Sequence, residues 1–294
     1  MSRYILNLLL KLLALVIGLA IIYVYYSTAF IDAWLLVIFG FIIVTLIPNK
    51  SPKQFILDWS LFAMAMYLAT VVRGLSDGVM PYLVVDQIIQ LDRWLFAGNL
   101  PTVVLQQWLY QPGILHWFDW ALMFAYISFF IFPFVVAYAL WLRQRISFYR
   151  FVFAFFLLDI FALLFFLFLP VAPPWYAAYM GRFQMHNILL DILNSGNFQR
   201  EGLTVFVRSL PTNDVAAMPS LHSAWPLLAA LFAQHYFGRW ARILFIIPAA
   251  IWLAVVYFGQ HYVADVIMGI FLTILAYYLT MKILPPNVGQ EADK

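Results

Sequence analysis

Apolar residues run along this chain in long stretches that are separated by short clusters of charge, proline and glycine. A hydrocarbon core about 30 Å thick requires about 20 apolar residues per helix. The pattern therefore predicts about eight membrane-crossing helices, near residues 5–26, 32–47, 55–72, 117–142, 151–170, 219–237, 240–258 and 262–284. The residue-by-residue alternation typical of a membrane β-barrel is absent. The predicted fold class is all-α, a polytopic membrane helical bundle.

Two segments between these stretches are too polar to cross a membrane. Residues 73–116 mix charged side chains with Trp and Leu, which is typical of short helices lying at the membrane interface. Residues 171–218 form the most polar stretch of the chain, and loops of this kind often carry function. We expect two N-terminal transmembrane helices in 1–54 and a six-helix membrane-embedded core in 55–285 that includes both loops. A cytoplasmic tail is expected in 286–294.

Composition excludes a soluble protein and most partners other than lipid. Hydrophobic residues make up 66% of the chain and charged residues 10%, against about a quarter charged in soluble domains. The net charge is only +3 and the basic residues are scattered, so no nucleic acid partner is expected. The chain has no cysteine, which excludes disulfides, zinc-thiolate sites and thiol nucleophiles.

Lysine and arginine predict the orientation of the eight helices. If the N-terminus is cytoplasmic, 11 of these residues lie on the inner side and 5 on the outer side. Because inner loops carry the excess of positive charge, both termini are predicted to be cytoplasmic. The loops 73–116 and 171–218 then lie outside the cytoplasm. The protein is expected in a plasma or inner membrane.

A first polar motif begins the stretch at 219–237. Pro219 suits the first turn of a helix because that position needs no N–H donor. The helix start would place free amides, a partial positive charge, Ser220 and His222 together, which favours binding of a phosphate. The alternative is a structural helix start in which the serine caps and the histidine only donates a hydrogen bond.

A second motif precedes the last stretch. His261 and Asp265 are four residues apart, so on a helix they share one face. A carboxylate beside one ring nitrogen fixes the tautomer and raises the basicity of the other nitrogen, as a nucleophilic or general-base imidazole requires. A structural His–Asp pair and a pair of metal ligands explain this spacing equally well.

Together the two motifs resemble the type 2 phosphatidic acid phosphatase superfamily, whose signatures are K-x6-R-P, P-S-G-H and S-R-x5-H-x3-D. Pro219 to His222 reads P-S-L-H and matches the second signature with Leu for Gly, and His261-x3-Asp265 matches the core of the third. The P-S-L-H form, H-Y-x-x-D and the segment 170–176 (PVAPPWY) are similar to the inositol phosphorylceramide synthase-like branch. The resemblance covers roughly residues 80–285.

The resemblance implies roles for three residues. His261 would be the nucleophile that forms a phosphohistidine, Asp265 would orient it, and His222 would protonate the leaving group. The arginine of the third signature is absent, because its position falls at Val255. The first signature is also absent, since Arg143 and Arg150 lack its proline and lie on the predicted cytoplasmic side.

Phosphate charge must then be neutralised by other residues of the outer loop. Arg208 is the first candidate, followed by Arg182 and Arg200, although for each of them alone a solvated or headgroup-facing arginine is the more common interpretation. Trp175 and Tyr176 follow a Pro-Pro corner in the same loop. They are expected either to line a slot for an acyl chain or headgroup or to belong to the aromatic belt at the interface.

The sequence therefore predicts a membrane enzyme of phosphoryl transfer that uses neither metal nor cofactor. Its expected partners are a membrane lipid with a phosphate headgroup and a second lipid alcohol as acceptor. A headgroup phosphotransferase is slightly favoured over a lipid phosphate phosphatase. A proton-coupled or lipid transporter is the alternative from another class, but its expected repeats and midplane charges are not found. A metal-dependent hydrolase is a further alternative, although no H-E-x-x-H motif supports it.

Overall fold

The described residues of the computed structural model, 53–63, 82–195 and 216–284, are mostly helical and contain no strand. The all-α prediction is therefore confirmed. Nine α-helices with assigned bounds and one 3₁₀ helix follow one another in these ranges: α1 Asp86–Leu95, α2 Pro101–Leu109, α3 Trp117–Arg143, α4 Arg145–Phe168, α5 Pro174–Tyr179, α6 Ile188–Asn194, α7 Leu221–Phe237, the 3₁₀ helix Arg239–Phe245, α8 Ile246–Tyr257 and α9 Val263–Ile283. The predicted helices near 5–26 and 32–47 and the tail 286–294 lie outside the described residues.

Four helical segments of the described chain are long and apolar enough to cross a membrane. They are α3, α4, the continuous segment Arg239–Tyr257 and α9. Their positions agree with the predicted stretches to within a few residues, except that α4 begins six residues earlier. The protein is an integral membrane protein built as a helical bundle.

Helix α7 is the centre of this bundle. It spans 17 residues, about 26 Å, and packs against α3, α4, α8 and α9. Small side chains make this position possible, because Ala224, Ala229, Ala230 and Ala233 are all completely buried. Neighbouring helices can therefore approach α7 closely along its whole length.

The chain divides into two compact units. One comprises Met1–Tyr67 and Gly196–Thr212, and of these the described residues are 53–63, which are helical. The other comprises Leu68–Ser195 and Asn213–Lys294 and contains all the named helices. The expected start of the core at residue 55 and the single outer loop 171–218 stay predictions.

The two polar segments contain short helices, as predicted for 73–116. Helices α1 and α2 are 10 and 9 residues long, and neither could cross a membrane. The segment that begins with Pro170 joins the two polar segments. The amide of Val84 donates to the carbonyl of Pro170, and the amide of Ala172 donates to the carbonyl of Val84. Ala217 donates to the Val171 carbonyl, so the approach to α7 is joined to the same segment. Helices α7 and α9 both begin at the end of the bundle that carries His222 and His261, which we call the histidine end.

Candidate active site

The first half of the site is the start of α7. Ser220 is the N-cap, and its hydroxyl oxygen accepts a hydrogen bond of 3.2 Å from the amide of Ser223. Ser220 is fully buried, so its hydroxyl is used to cap the helix, as in the structural alternative. His222 follows in the first turn and is half-buried. Direct contact of Ser220 with a substrate stays a prediction.

The second half is the turn that joins α8 to α9. Gly259 adopts a φ of +69°, a conformation that favours glycine, and its position lies tightly against the side chain of Met185. The amides of Gln260 and His261 both donate to the carbonyl of Val255, at 2.8 and 3.1 Å. Val255 is thus a buried residue of α8 whose backbone holds the histidine turn. His261 is only 6% exposed.

Asp265 lies in the first turn of α9 and is completely buried. Its Oδ2 accepts a hydrogen bond of 2.9 Å from the amide of Tyr262 and lies 3.5 Å from Nδ1 of His261. This distance is at the limit of a hydrogen bond, so the carboxylate faces the ring nitrogen without a short hydrogen bond to it. The prediction that both residues share a helical face is wrong in one respect. Helix α9 begins at Val263, and His261 reaches Asp265 from the preceding turn.

A close crossing of α7 and α9 brings the two halves together. The amide of Ser220 donates to the carbonyl of Asp265 at 3.0 Å, and the Ser223 hydroxyl lies 3.3 Å from the carbonyl of Val266. Gly269 permits this approach, because a Cβ at that position would overlap both Ser223 Oγ and the carbonyl oxygen of Ser220. The crossing places the starts of both helices at one point of the histidine end.

The consequence is direct contact between the two imidazoles. Nδ1 of His222 lies 3.0 Å from Nε2 of His261. Because Asp265 faces Nδ1 of His261, that nitrogen is expected to carry the proton, which leaves the lone pair of Nε2 directed at His222. His222 is then the donor. The pairing has the polarity that a nucleophile and a general acid require.

Aromatic side chains of α3 surround His222. The ring of Tyr126 stacks on the imidazole at 5.2 Å and 20°, and the Phe129 ring lies 4.3 Å from it. Phe129 in turn stacks on Trp225 at 5.1 Å, and the indole N–H of Trp225 donates to Oδ1 of the buried Asp159 at 2.9 Å. These aromatic rings of α3 pack against His222, and no pattern in the sequence distinguishes them.

The predicted substrate-binding residues lie in several places. Arg182 is 45% exposed and lies 3.5 Å from the Asp86 carboxylate, so it belongs to a surface ion pair of α1. Tyr176 packs against the buried cluster that includes Tyr262. The amide of Trp175 donates to the Gly259 carbonyl, which ties this segment to the histidine turn. Arg200 and Arg208 lie outside the described residues.

Two cavities share a wall at Met185, whose side chain lies against Gly259 in the turn before His261. One of about 330 Å³ is lined by Trp175, Tyr179 and Phe183 among others, and one of about 240 Å³ is lined by Gln107, Tyr110 and His186 among others. Gln184 and Met185 line both of them. Trp175 lines the larger of these two cavities, and whether it serves as a slot for substrate or as part of the interfacial belt stays a prediction. In the part of the chain that the structure describes, no group of three or more His, Asp or Glu side chains is arranged to hold a metal ion.

Asp92 is a further residue of this end that sequence reasoning missed. Asp92 belongs to the segment 73–116 that is predicted to lie at the interface, but it is 1% exposed and lies on the same face of α1 as Ile88 and Ile89. Its two carboxylate oxygens accept hydrogen bonds from the amides of Val263 and Ala264, at 3.1 and 2.9 Å. Burial raises the pKa of Asp92 to about 6, although these hydrogen bonds oppose the shift.

Comparison with known proteins agrees with this arrangement. Residues 86–279 match the sequence family described as the PAP2 superfamily, and this range contains every described residue of the site. The chain is 33% identical over 150 residues to a phosphoinositol dihydroceramide synthase of Bacteroides thetaiotaomicron, which is 48% of this chain and 49% of the relative. It is 26% identical over 219 residues to an inositol phosphorylceramide synthase of Candida albicans, covering 70% of this chain and 44% of the relative.

The chain thus spans about half the length of the curated relatives that it matches. No solved structure matches it. The family match covers well over half of the chain and includes both histidine motifs. The chain belongs to the PAP2 superfamily, and the two curated relatives named above are a phosphoinositol dihydroceramide synthase and an inositol phosphorylceramide synthase.

Proposed function

We propose that this protein is a lipid headgroup phosphotransferase. It would move a phosphate-linked headgroup from a phospholipid to a second lipid alcohol through a covalent intermediate on His261. The observation that carries the proposal is the 3.0 Å contact between the imidazoles, with a carboxylate on the far nitrogen of only one of them. The names of the relatives favour a phosphoinositol donor and a ceramide-type acceptor.

In the first step Nε2 of His261 attacks the phosphorus of the donor, and the bond from phosphorus to the glycerol oxygen breaks. His222 gives its proton to the departing alkoxide, so diacylglycerol leaves as a neutral alcohol. Asp265 stabilises the positive charge that develops on the His261 ring. Basic residues of the outer segment, with Arg208, Arg182 and Arg200 as candidates, would neutralise the phosphate oxygens.

In the second step the hydroxyl of the acceptor lipid attacks the same phosphorus. His222, now neutral, accepts the hydroxyl proton, and the bond from phosphorus to His261 breaks. Both imidazoles return to their starting states, so the cycle consumes no cofactor. Water in place of the lipid alcohol would give the phosphatase reaction, and for this reason exclusion of water decides between the two activities.

A phosphate group has to separate the two rings before the first step can occur. A distance of 3.0 Å leaves no space for phosphorus between them. His261 is only 6% exposed, and the amides of its turn donate to the Val255 carbonyl, whereas His222 is half-buried. We expect His222 to be the ring that moves when the phosphate binds.

The proposed site lies on the extracytoplasmic side. The support for this is the excess of lysine and arginine at the opposite ends of the predicted helices. The donor and acceptor would then both reach the site from the outer leaflet. Trp175 and the cavity beside it would hold the headgroup, because they adjoin the turn that carries His261.

The test uses the purified protein in phospholipid nanodiscs with phosphatidylinositol that carries a labelled inositol, with and without ceramide. Formation of a labelled lipid that depends on ceramide supports the transferase. Release of a water-soluble labelled phosphate ester, with no labelled lipid other than the donor, would overturn the transferase in favour of the phosphatase. The same reaction in excess chelator is expected to proceed unchanged, and its loss would favour a metal-dependent hydrolase.

A further inference from the structure

The structure assigns to Asp92 the role of a positioning residue. It caps α9 and thereby holds in place the turn between α8 and α9 that carries His261, which we call the nucleophile turn. This inference rests on the proposed function and deepens it. It concerns a residue outside both histidine motifs. Asp92 lies on α1, 169 positions before His261 in the sequence.

The geometry is that of a helix cap supplied from another part of the chain. The first amides of a helix have no partner within it, and a carboxylate at this end is stabilised by the helix dipole. The cap residue Tyr262 uses no side-chain atom to satisfy them. Asp92 accepts from both Val263 and Ala264, one amide for each carboxylate oxygen. These two amides lie between His261 and Asp265, so the cap fixes the segment that sets the spacing of the pair.

Helix α1 is built to deliver this carboxylate. Its buried face carries Ile88, Ile89 and Asp92, and its opposite face exposes Leu91 and Trp94. A carboxylate within an otherwise apolar stripe is costly unless hydrogen bonds satisfy it. The exposed apolar face is typical of a helix resting on the membrane interface. The nucleophile turn is thereby fastened to an interfacial helix as well as to its own bundle.

The charge state of Asp92 matters because each carboxylate oxygen accepts a different hydrogen bond, one from Val263 and one from Ala264. As a carboxylate it accepts both hydrogen bonds, whereas a protonated acid retains one good acceptor. The titratable groups that face it from the neighbouring element are Asp265 and Tyr262, and on its own helix Asp86 lies in the first turn, paired with Arg182. With its pKa near 6, Asp92 is ionised at pH 8 and largely protonated at pH 5.

Asp92→Asn tests this role, because an amide presents one acceptor oxygen and no charge, as the protonated acid does. At pH 8 we expect kcat to fall by on the order of tenfold with KM nearly unchanged, less than the roughly 10²-fold cost of a 1 Å misplacement. Below pH 6 the wild-type protein loses the same charge, so the ratio of wild-type to variant kcat should approach one. Protonation of the histidines affects both proteins equally and cancels in the ratio.

Gln87→Ala is the matched control, since it alters an exposed polar side chain of the same helix and should leave kcat unchanged at both pH values. Activity is referred to the monodisperse fraction from gel filtration. If the Asn variant does not fold, Asp92→Thr retains one capping oxygen and takes its place in the same comparison. A purely structural role would lower the melting temperature but give a ratio independent of pH.

The outcomes separate this inference from the proposed function. Wild-type kcat in Asp92→Asn at pH 8, with His261→Ala inactive, would overturn the role of Asp92 and leave the transferase intact. A ratio that stays constant from pH 8 to pH 5 would also overturn it. Absence of headgroup transfer in the wild-type protein would instead overturn the proposed function.

Discussion

Replacement of Gly269 by alanine is the sharpest test of how the site is assembled. The Cβ of an alanine would lie 2.5 Å from the Ser220 carbonyl oxygen, where ordinary contact begins at 3.4 Å, and it would also overlap Ser223 Oγ. The backbone oxygen cannot rotate away as a side chain can. Helices α7 and α9 must therefore separate by about 1 Å at this point.

Two opposing effects act on stability, and a third acts on activity. Overpacking costs about 1–3 kcal/mol, whereas alanine gains about 1 kcal/mol over glycine in a helix interior. The net loss of unfolding free energy is then at most about 2 kcal/mol, so the variant should fold. The separation also lengthens the contacts of Ser220 with Asp265 and of His222 with His261. Since a misplacement of about 1 Å costs about 10²-fold in rate, activity should fall far more than stability.

The assay compares kcat for headgroup transfer with the thermal unfolding midpoint in the same detergent. Ile267→Ala serves as the control, because it changes an apolar side chain of α9 that is 50% exposed. Gly269→Val should be worse than Gly269→Ala in both measurements. Retention of wild-type kcat in Gly269→Ala would refute the idea that this crossing sets the distance between the imidazoles.

Two further predictions follow from the site. His222→Ala and His261→Ala should each reduce transfer by about 10²-fold or more, while the unfolding midpoint changes little, and only His261→Ala should abolish acid-labile labelling of the protein by the donor. Equal labelling in the two variants would contradict the assigned roles. Trp225→Phe removes the donor to Asp159 and should lower the free energy of unfolding by about 1–3 kcal/mol, measured by thermal or chemical unfolding. An unchanged midpoint would mean that the buried carboxylate finds another partner.

The main features of the fold could be predicted from the sequence because membrane helices depend on local composition. Long apolar runs predict crossings wherever they occur, and the described helices begin and end near the predicted positions. The pairing of His222 with His261 could also be anticipated. Both histidines precede or begin apolar stretches that are separated by one intervening crossing, so both had to reach the same end of the bundle.

The remaining features depend on partners that leave no mark in the sequence. Asp92 binds backbone amides 171 and 172 residues away, and backbone donors are present in any sequence. Tyr126 and Phe129 are two aromatic residues in a chain with 29 Phe and 17 Tyr, so no pattern distinguishes them. The spacing of Asp92 from Ile88 and Ile89 does predict that its carboxylate lies on a buried helical face. It does not predict which donors the carboxylate meets there.

The two histidines of the site differ in exposure, and this difference fits the order of the proposed chemistry. His261 is fixed by backbone hydrogen bonds to Val255, by Asp265, and by the Asp92 cap on the next helix. A nucleophile gains from such constraint, because its lone pair keeps one direction while phosphorus approaches. His222 is more exposed than His261 and packs against the rings of Tyr126 and Phe129. A group that donates a proton to one oxygen and later accepts one from another has to be reached by both substrates, so the more exposed ring is the one expected to act as acid and base.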